Sequence, residues 1–391
     1  MTVIKAEWLD TTATKAVCRA LTAGGHHAYF VGGCVRNALM GAPVSDLDIA
    51  TNAEPATVLA LSKAAGLKTI PTGIDHGTVT IVADHVPYEV TTFRRDVSTD
   101  GRRATVAFST DLAEDAARRD FTMNALYAAP DGTVTDPLDG LPDLLARRVR
   151  FIGEPDARIR EDYLRILRFF RFHAIYGDPE NGLDADGLAA CAGLAEGLEQ
   201  ISAERIGTEF RKLLSAIDPA PSVAAMAATG ILMRVLPGAD HKALAPLVHL
   251  EATADIQPDW RRRLGALGVS DWQDALRLSK AEQRHMDGIH LSLGNDLPIA
   301  VAAYKYGPEV ARNSAFCRAA MAEIPLAQNW AVEAERGAKQ TFPIRAADLS
   351  GRLSPGPALG TALKALERTW IASDFCLTKS ELLAIDTDTA L

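Results

Sequence analysis

Apolar and polar positions along the chain follow two different periods. Between about residues 26 and 137, the segments HHAYFVGG, GTVTIVADHVPYEVTTF and FTMNALYAA are rich in β-branched and aromatic residues. Each is bounded by Gly, Asp or Pro, which predicts strands or strand edges. Between them, ATKAVCRALTAG and EPATVLALSKAAG carry helical spacing and end in glycine, a helix-stop signal. From about Glu161 onward the period is helical. DYLRILRFFRFHAIYG and ISAERIGTEFRKLLSAI place apolar residues at i, i+3, i+4 and i+7. After residue 220 the chain is Ala/Leu-rich with Pro and Gly punctuation, as in PSVAAMAATGILMRVLPG and LSPGPALG, which predicts short helices. The pattern therefore predicts a mixed α/β or α+β head followed by a long helical remainder.

Composition narrows the class. The 391 residues suggest two to four domains at roughly 100–200 residues each, and 48% hydrophobic content excludes wholesale disorder. No stretch reaches the ~18 apolar residues of a membrane span. No signal peptide is expected from MTVIKAEWLDTTATK, which lacks an apolar core. The five cysteines, Cys18, Cys34, Cys191, Cys317 and Cys376, form no C-x-x-C pair, which fits a reducing cytoplasm. The net charge of −9 argues against indiscriminate nucleic-acid coating. Most of that acidity lies late in the chain. Residues 1–175 carry 20 basic and 22 acidic side chains, and the remainder carries 21 and 28. Between Glu89 and Ala174 stand 14 arginines and no lysine. Arginine presents a planar donor fork suited to phosphates and base edges, although a salt-bridged surface would look the same in composition.

The sharpest local signal is VGGCVRNALMGAPVSDLDIAT. Asp46 and Asp48 stand two apart on a strand-like segment, so both carboxylates share one face. Like charges this close call for a cation between them. Mg²⁺, a hard ion that keeps positions open for substrate phosphates, suits the pair. Gly32 and Gly33 let the backbone approach a phosphate closely, and Arg36 lies in the first turn of the helix-like segment that follows. No G-K-[ST] follows, which excludes a P-loop. Glu89, in the strand-like YEVTTFR, supplies a third carboxylate if its strand lies beside that of Asp48.

Two arginine groups complete the candidates. RRDFTMNAL places Arg118, Arg119 and Asp120 before an apolar run. At least one arginine is then free for phosphate, with Asp120 as a capping residue. In EDYLRILRFFRF, helical spacing makes Asp162 and Arg165 neighbours on one face, with Arg168 at its edge and Arg171 about half a turn away. The ordinary reading is a salt-bridged ladder over a core face of Leu164, Ile166, Leu167 and Phe170. The chemical reading is sharper. Cytosine and adenine each show an amino donor beside a ring-nitrogen acceptor, and a carboxylate beside a guanidinium matches that pattern while mismatching uracil and guanine.

VGGCVRNALMG, DLDIAT, PTGIDHGTVTIV, YEVTTFRRD, RRDFTMNAL, DPLDGLPDL and EDYLRILRFFRF, in this order, resemble the class II nucleotidyltransferases, the CCA-adding enzymes and bacterial poly(A) polymerases. The resemblance covers about residues 28–175, and ISAERIGTEFRKLL looks like a later helical segment of the family. It implies an α+β, polymerase-β-like head with a mixed sheet at 1–140. A helical neck with the base-recognition helix follows at 141–215, and a helical body and tail for tRNA at 216–391. It implies Asp46 and Asp48 as Mg²⁺ ligands. Gly33, Arg36 and Arg119 are implied at the phosphates or sugar, Asp162 and Arg165 at the base, and Arg168 and Arg171 elsewhere in the nucleotide site. The family's G-G-x-V-R-D is here VGGCVRNA, so Asn37 replaces an aspartate.

The expected activity is template-independent addition of C, C and A to the 3′ end of tRNA from CTP and ATP, releasing pyrophosphate. The alternatives are poly(A) addition, a strict A-adding or C-adding variant, and an RNA-binding protein with a dead head. ALSKAAGLKTIPTGIDHGTVTIV, which follows D-x-D, looks like the CCA-adding type and lacks the arginine-rich segment usual in the poly(A) polymerases. Any grip on tRNA in the helical part needs a local basic strip, with Arg261, Arg262 and Arg263 one candidate, and the oligomeric state stays open.

Overall fold

The computed structural model describes residues 2–100, 103–350 and 352–385. It divides into two compact units, residues 1–239 with 274–277, and 240–273 with 278–391.

The first unit is α+β, as expected. Its strands are β1 (Tyr29–Val31), β2 (Leu47–Thr51), β3 (Lys68–Gly73), β4 (Thr78–Ala83), β5 (Val86–Thr92), β6 (Arg94–Asp100), β7 (Arg103–Phe108), β8 (Tyr127–Ala128) and β9 (Val134–Thr135). Seven of them form one mixed sheet in the order β3-β4-β5-β2-β1-β8-β9, and β6 and β7 pair separately. Only β2 and β5 run parallel among the paired neighbours, with Asp48 opposite Glu89. The strands form where β-branched residues alternate or run together. Val79, Ile81, Tyr88, Val90, Leu47 and Ile49 are buried.

The Thr12–Ala23 helix starts at Thr11, whose hydroxyl accepts the Thr14 amide, and ends at Gly24. It buries Val17, Cys18 and Leu21, and Thr14 is hydrogen-bonded to the Tyr88 hydroxyl of β5 at 3.0 Å. The Pro155–Glu161 and Leu164–Tyr176 helices follow the sheet. Leu164, Ile166, Leu167 and Phe170 are buried, as the apolar spacing predicts. Phe121, Phe151, Phe169 and Phe172 form a connected aromatic core, with Phe151 and Phe169 stacked at 5.4 Å.

The described residues of the second unit contain helices and no strands. One core gathers Leu247, Ala266, Phe316 and Cys317, and another gathers Leu366, Trp370 and Leu382. The arginine triplet corrects the expectation of a basic strip. Arg262 is 0% exposed and Arg263 1%, both paired with the buried Glu251 at 2.6 and 2.8 Å. Arg261 turns back on Asp259 at 3.1 Å. The Trp260–Ala266 helix directs Arg262 and Arg263 inward, where an acidic partner satisfies them. No described helix is long and apolar enough to cross a membrane.

Candidate nucleotide site

The glycine turn lies directly after β1. Gly32 has φ +71°, a conformation that side chains rarely adopt, and the Gly33–Leu39 helix begins at the next residue. A Cβ at Gly32 would lie 3.7 Å from Nη1 of Arg119, and one at Gly33 would lie 3.8 Å from Nη2 of Arg36. Two guanidiniums thus face a stretch of backbone that carries no side chains.

β2 and the residue before it carry the two carboxylates alongside. Leu47 and Ile49 point into the core, leaving Asp48 on the more open face opposite Glu89. The proposed condition for Glu89, a strand beside that of Asp48, is met. Asp46 precedes the strand, is exposed, and accepts a hydrogen bond from the Ser45 hydroxyl at 2.9 Å. Burial, then the negative charges of Glu89 and Asp46, push the Asp48 carboxyl up to about 6 against the pull of Arg119. That crowding is the electrostatic condition a divalent cation would relieve. Among the described residues no group of three or more His, Cys, Asp or Glu could hold a metal by itself. A two-carboxylate site still suits Mg²⁺, which completes its shell with water and phosphate oxygens.

Arg36, Arg168 and Arg171 surround one ring. Their guanidinium carbons lie 5.1, 5.2 and 4.6 Å from the centre of Phe172. Arg36 also sits 4.0 Å over the Tyr176 ring and donates to the Tyr176 hydroxyl at 2.7 Å and to Asn124. Nε of Arg168 donates to Asp120 at 2.7 Å, and Nε of Arg171 donates to Glu209 at 2.5 Å. Arg168 also lies 3.9 Å from Glu209. Arg171, which helical geometry separates from Asp162, is thus joined to Arg168 by a shared carboxylate. Asp120 accepts the Phe121 amide and the Asn124 side chain as well, so it is a junction more than a helix cap. Burial alone would raise the Asp120 carboxyl, but Arg168 and Asn124 outweigh it and hold it below the usual range.

Asn37 accepts Nε and Nη2 of Arg36 at 3.2 and 3.1 Å and donates to the Pro43 carbonyl at 2.8 Å. The acceptor role survives the replacement of aspartate, and the donated bond is one that a carboxylate cannot make.

The geometry around Asp162 corrects the single-helix expectation. One helix ends at Glu161, the next begins at Leu164, and Asp162 between them has φ −156° and ψ 103°. Its Oδ1 accepts the Leu164 amide at 3.1 Å, and its Oδ2 takes Arg205 at 2.7 Å. An aspartate side chain that competes for backbone amides favours such a break over a helix interior. The Arg165 amide still donates to the Asp162 carbonyl at 2.9 Å, so the two residues close one turn. Their side chains part: Arg165 pairs with Glu161 and donates to the Arg118 carbonyl at 3.1 Å. The expected ladder along one helix is replaced by pairs to Asp120, Glu161 and Glu209.

Sequence reasoning left out the partners Asp115, Glu161, Tyr176, Arg205 and Glu209. Helical spacing carried a signal for two of them, because Asp115 stands three and four residues before Arg118 and Arg119, and Glu161 four before Arg165. The others are paired over 38 residues or more in sequence.

Residues 28–150 match the family described as "Poly A polymerase head domain", and residues 183–242 match "Probable RNA and SrmB- binding site of polymerase A". The CCA-adding enzyme of Geobacillus thermodenitrificans (strain NG80-2) is 39% identical over 277 residues, 69% of this chain and 67% of that protein. The chain belongs to the CCA-adding enzyme family. Its likeness to the crystal structure of the Bacillus stearothermophilus CCA-adding enzyme in complex with CTP has a TM-score of 0.73 at 30% identity, covering 93% of each chain. The Thermotoga maritima CCA-adding enzyme complexed with tRNA shares the fold at 16% identity, with a TM-score of 0.66 over 98% of each chain. The human mitochondrial CCA tRNA nucleotidyltransferase 1 is 42% identical over 207 residues, 53% of this chain. The chain spans about half the length of such curated relatives, 48% of the human protein.

Proposed function

We propose that this protein adds C, C and A to the 3′ end of tRNA, taking the nucleotides from CTP and ATP without a nucleic-acid template and releasing pyrophosphate. The observation that carries the reading is the pairing of Asp48 with Glu89 across β2 and β5, beside a left-handed glycine turn faced by Arg119 and Arg36. Carboxylates suited to a metal, beside cations and bare backbone suited to a triphosphate, support the reading. Membership of the CCA-adding family supports the choice of substrate. The family label of the head, poly(A) polymerase, keeps general A addition as the competing outcome.

In this reading residues 1–140 carry the chemistry, 141–215 recognise the base and 216–391 hold the tRNA. Asp46 and Asp48 hold Mg²⁺, which when bound lowers the pKa of the attacking hydroxyl and neutralises triphosphate charge. Arg119 and Arg36 fix the triphosphate against the Gly32–Gly33 backbone, so the α-phosphate is presented in line to the 3′ hydroxyl. Asp162 and Arg165 receive the base, with the carboxylate accepting the amino group shared by cytosine and adenine and the guanidinium donating to the neighbouring ring nitrogen. Because Asp162 is held by Arg205, and Arg165 by Glu161, each exchanges part of its existing bonding for the base. Arg168 and Arg171 line the same site from the helix that carries Phe172. The five unpaired cysteines fit a reducing cytoplasm.

Asp46→Ala tests the carboxylate pair. With Mg²⁺, CTP and ATP, wild type should extend a tRNA lacking its 3′ end. The variant should lose extension while binding that tRNA as tightly. Extension by the variant at the wild-type rate would remove Asp46 from the site.

A further inference from the structure

Asp115 lies in the short Leu112–Ala117 helix and is 1% exposed. A carboxylate at that depth needs strong partners to remain charged. Five donors reach it, one of them the Arg94 amide, 3.4 Å from Oδ1. Nε and Nη2 of Arg118 approach Oδ1 at 2.9 and 2.8 Å. Nη2 of Arg119 approaches Oδ2 at 3.0 Å, and the Tyr127 hydroxyl donates to the same oxygen at 2.7 Å. That hydroxyl also accepts Nε of Arg119 at 3.1 Å. Burial works to raise the Asp115 carboxyl, but the two guanidiniums and the phenol hold it below the usual range.

The consequence lies in the orientation of Arg119. Its Nε–Nη2 edge is gripped by a carboxylate and a phenol that are bonded to each other. Nη1 is therefore the atom turned to Gly32, within 3.7 Å of where a Cβ would stand. We propose that Asp115, acting with Tyr127, is a positioning residue that fixes Arg119 so that Nη1 meets the phosphates of the incoming nucleotide. The proposal rests on the nucleotide-site reading above. Two guanidiniums on one carboxylate leave the group net positive, so the anchor does not cancel the charge it presents. An arginine fixed in advance loses little freedom when it binds. Tyr127 is itself fixed, fully buried in β8 and opposite Val31 of β1, the strand that leads into the glycine turn. The Arg118 carbonyl accepts Nη2 of Arg165, so the phosphate side and the base side share this anchor.

The test uses full-length wild type, Asp115→Asn and Tyr127→Phe. Equilibrium binding of CTP, ATP and inorganic tripolyphosphate is measured in Mg²⁺, with steady-state extension and Tm alongside. Asp115→Asn should weaken all three ligands by about tenfold, as expected for loss of a charge-assisted hydrogen bond. The factor should be the same for CTP and ATP, and the KM for tRNA should not move. Tyr127→Phe, which keeps both Asp115–arginine pairs, should weaken them about threefold and decides the matter if Asp115→Asn lowers Tm. Asp115→Asn added to Arg119→Lys should cost little beyond Arg119→Lys alone. Unchanged tripolyphosphate binding in Tyr127→Phe, or fully additive losses in the double variant, would overturn the proposal while leaving the nucleotide-site reading intact. Wild type that binds none of the three ligands would overturn that reading, and the proposal with it.

Discussion

Asp48, a proposed metal ligand, is the residue at which charge crowding most directly opposes stability. It is withdrawn from water beside Glu89 and Asp46, and its carboxyl is raised to about 6, so ionisation costs the metal-free protein free energy at neutral pH. The sign follows from linkage. The folded state holds this proton more tightly than the unfolded chain, whose carboxyl titrates near 3.9. The favourable contribution is complete below that lower value and is lost as pH rises through about 6. Asp48→Asn should therefore raise the Tm of the metal-free protein at pH 7.5, and the gain should be clearly smaller at pH 5, vanishing only below about 3.9. A lower Tm at pH 7.5, or a gain of equal size at both pH values, would mean that the charge crowding is not felt. The period-two spacing in the sequence put Asp48 on the open face of β2, but Asp46 stands one residue ahead of the strand and not on it. The closeness of Glu89 was conditional there, because only strand pairing places β5 beside β2.

Elements follow the sequence where the periodic apolar signal is long. The Leu164–Tyr176 helix buries the face its spacing predicts, and the helices from Thr12 and Pro55 start and stop near their capping and glycine signals. The failures come from single side chains that override the period. Asp162 binds a backbone amide and ends a helix that the apolar pattern would run straight through. The arginine triplet reads as a surface strip because charge predicts exposure, yet Glu251, eleven and twelve residues earlier, takes Arg262 and Arg263 into the core. This buried triad joins the Leu244–Thr253 helix to the Trp260–Ala266 helix, and Asn313 accepts Nη1 of Arg262 at 3.2 Å. Removing the central carboxylate charge breaks a buried ion pair with each of the two guanidiniums, which costs about 3–5 kcal/mol. Glu251→Gln should lower the stability of the protein by that order in a denaturant titration. A change under about 1 kcal/mol would show that the pair is replaceable by neutral hydrogen bonding.

For the whole molecule, the resemblance carried by the motif order over residues 28–175 implied the α+β head and helical remainder that the structure displays. The cross-links between elements were not legible. Arg36 to Tyr176, Arg171 to Glu209 and Asp162 to Arg205 join residues far apart in sequence, and spacing carries no information about such partners. The net charge of −9 is similarly a sum over separate roles. Glu251, Asp115 and Asp120 are buried counter-ions for arginines, and Asp46 and Asp48 are the proposed metal pair. Among the described residues five carboxylates, those of Asp115, Asp120, Asp143, Glu209 and Glu251, are buried, so only this part of the acidity is withheld from an RNA partner. The remaining choice is between three defined additions and an indefinite A tail. It is tested most directly by the product ladder from a tRNA lacking its 3′ end, with CTP alone, ATP alone and both together. CTP alone should add two nucleotides, ATP alone should add none, and the pair should stop at three. A long A tail with ATP alone, on this tRNA or on an unrelated RNA, would contradict CCA addition.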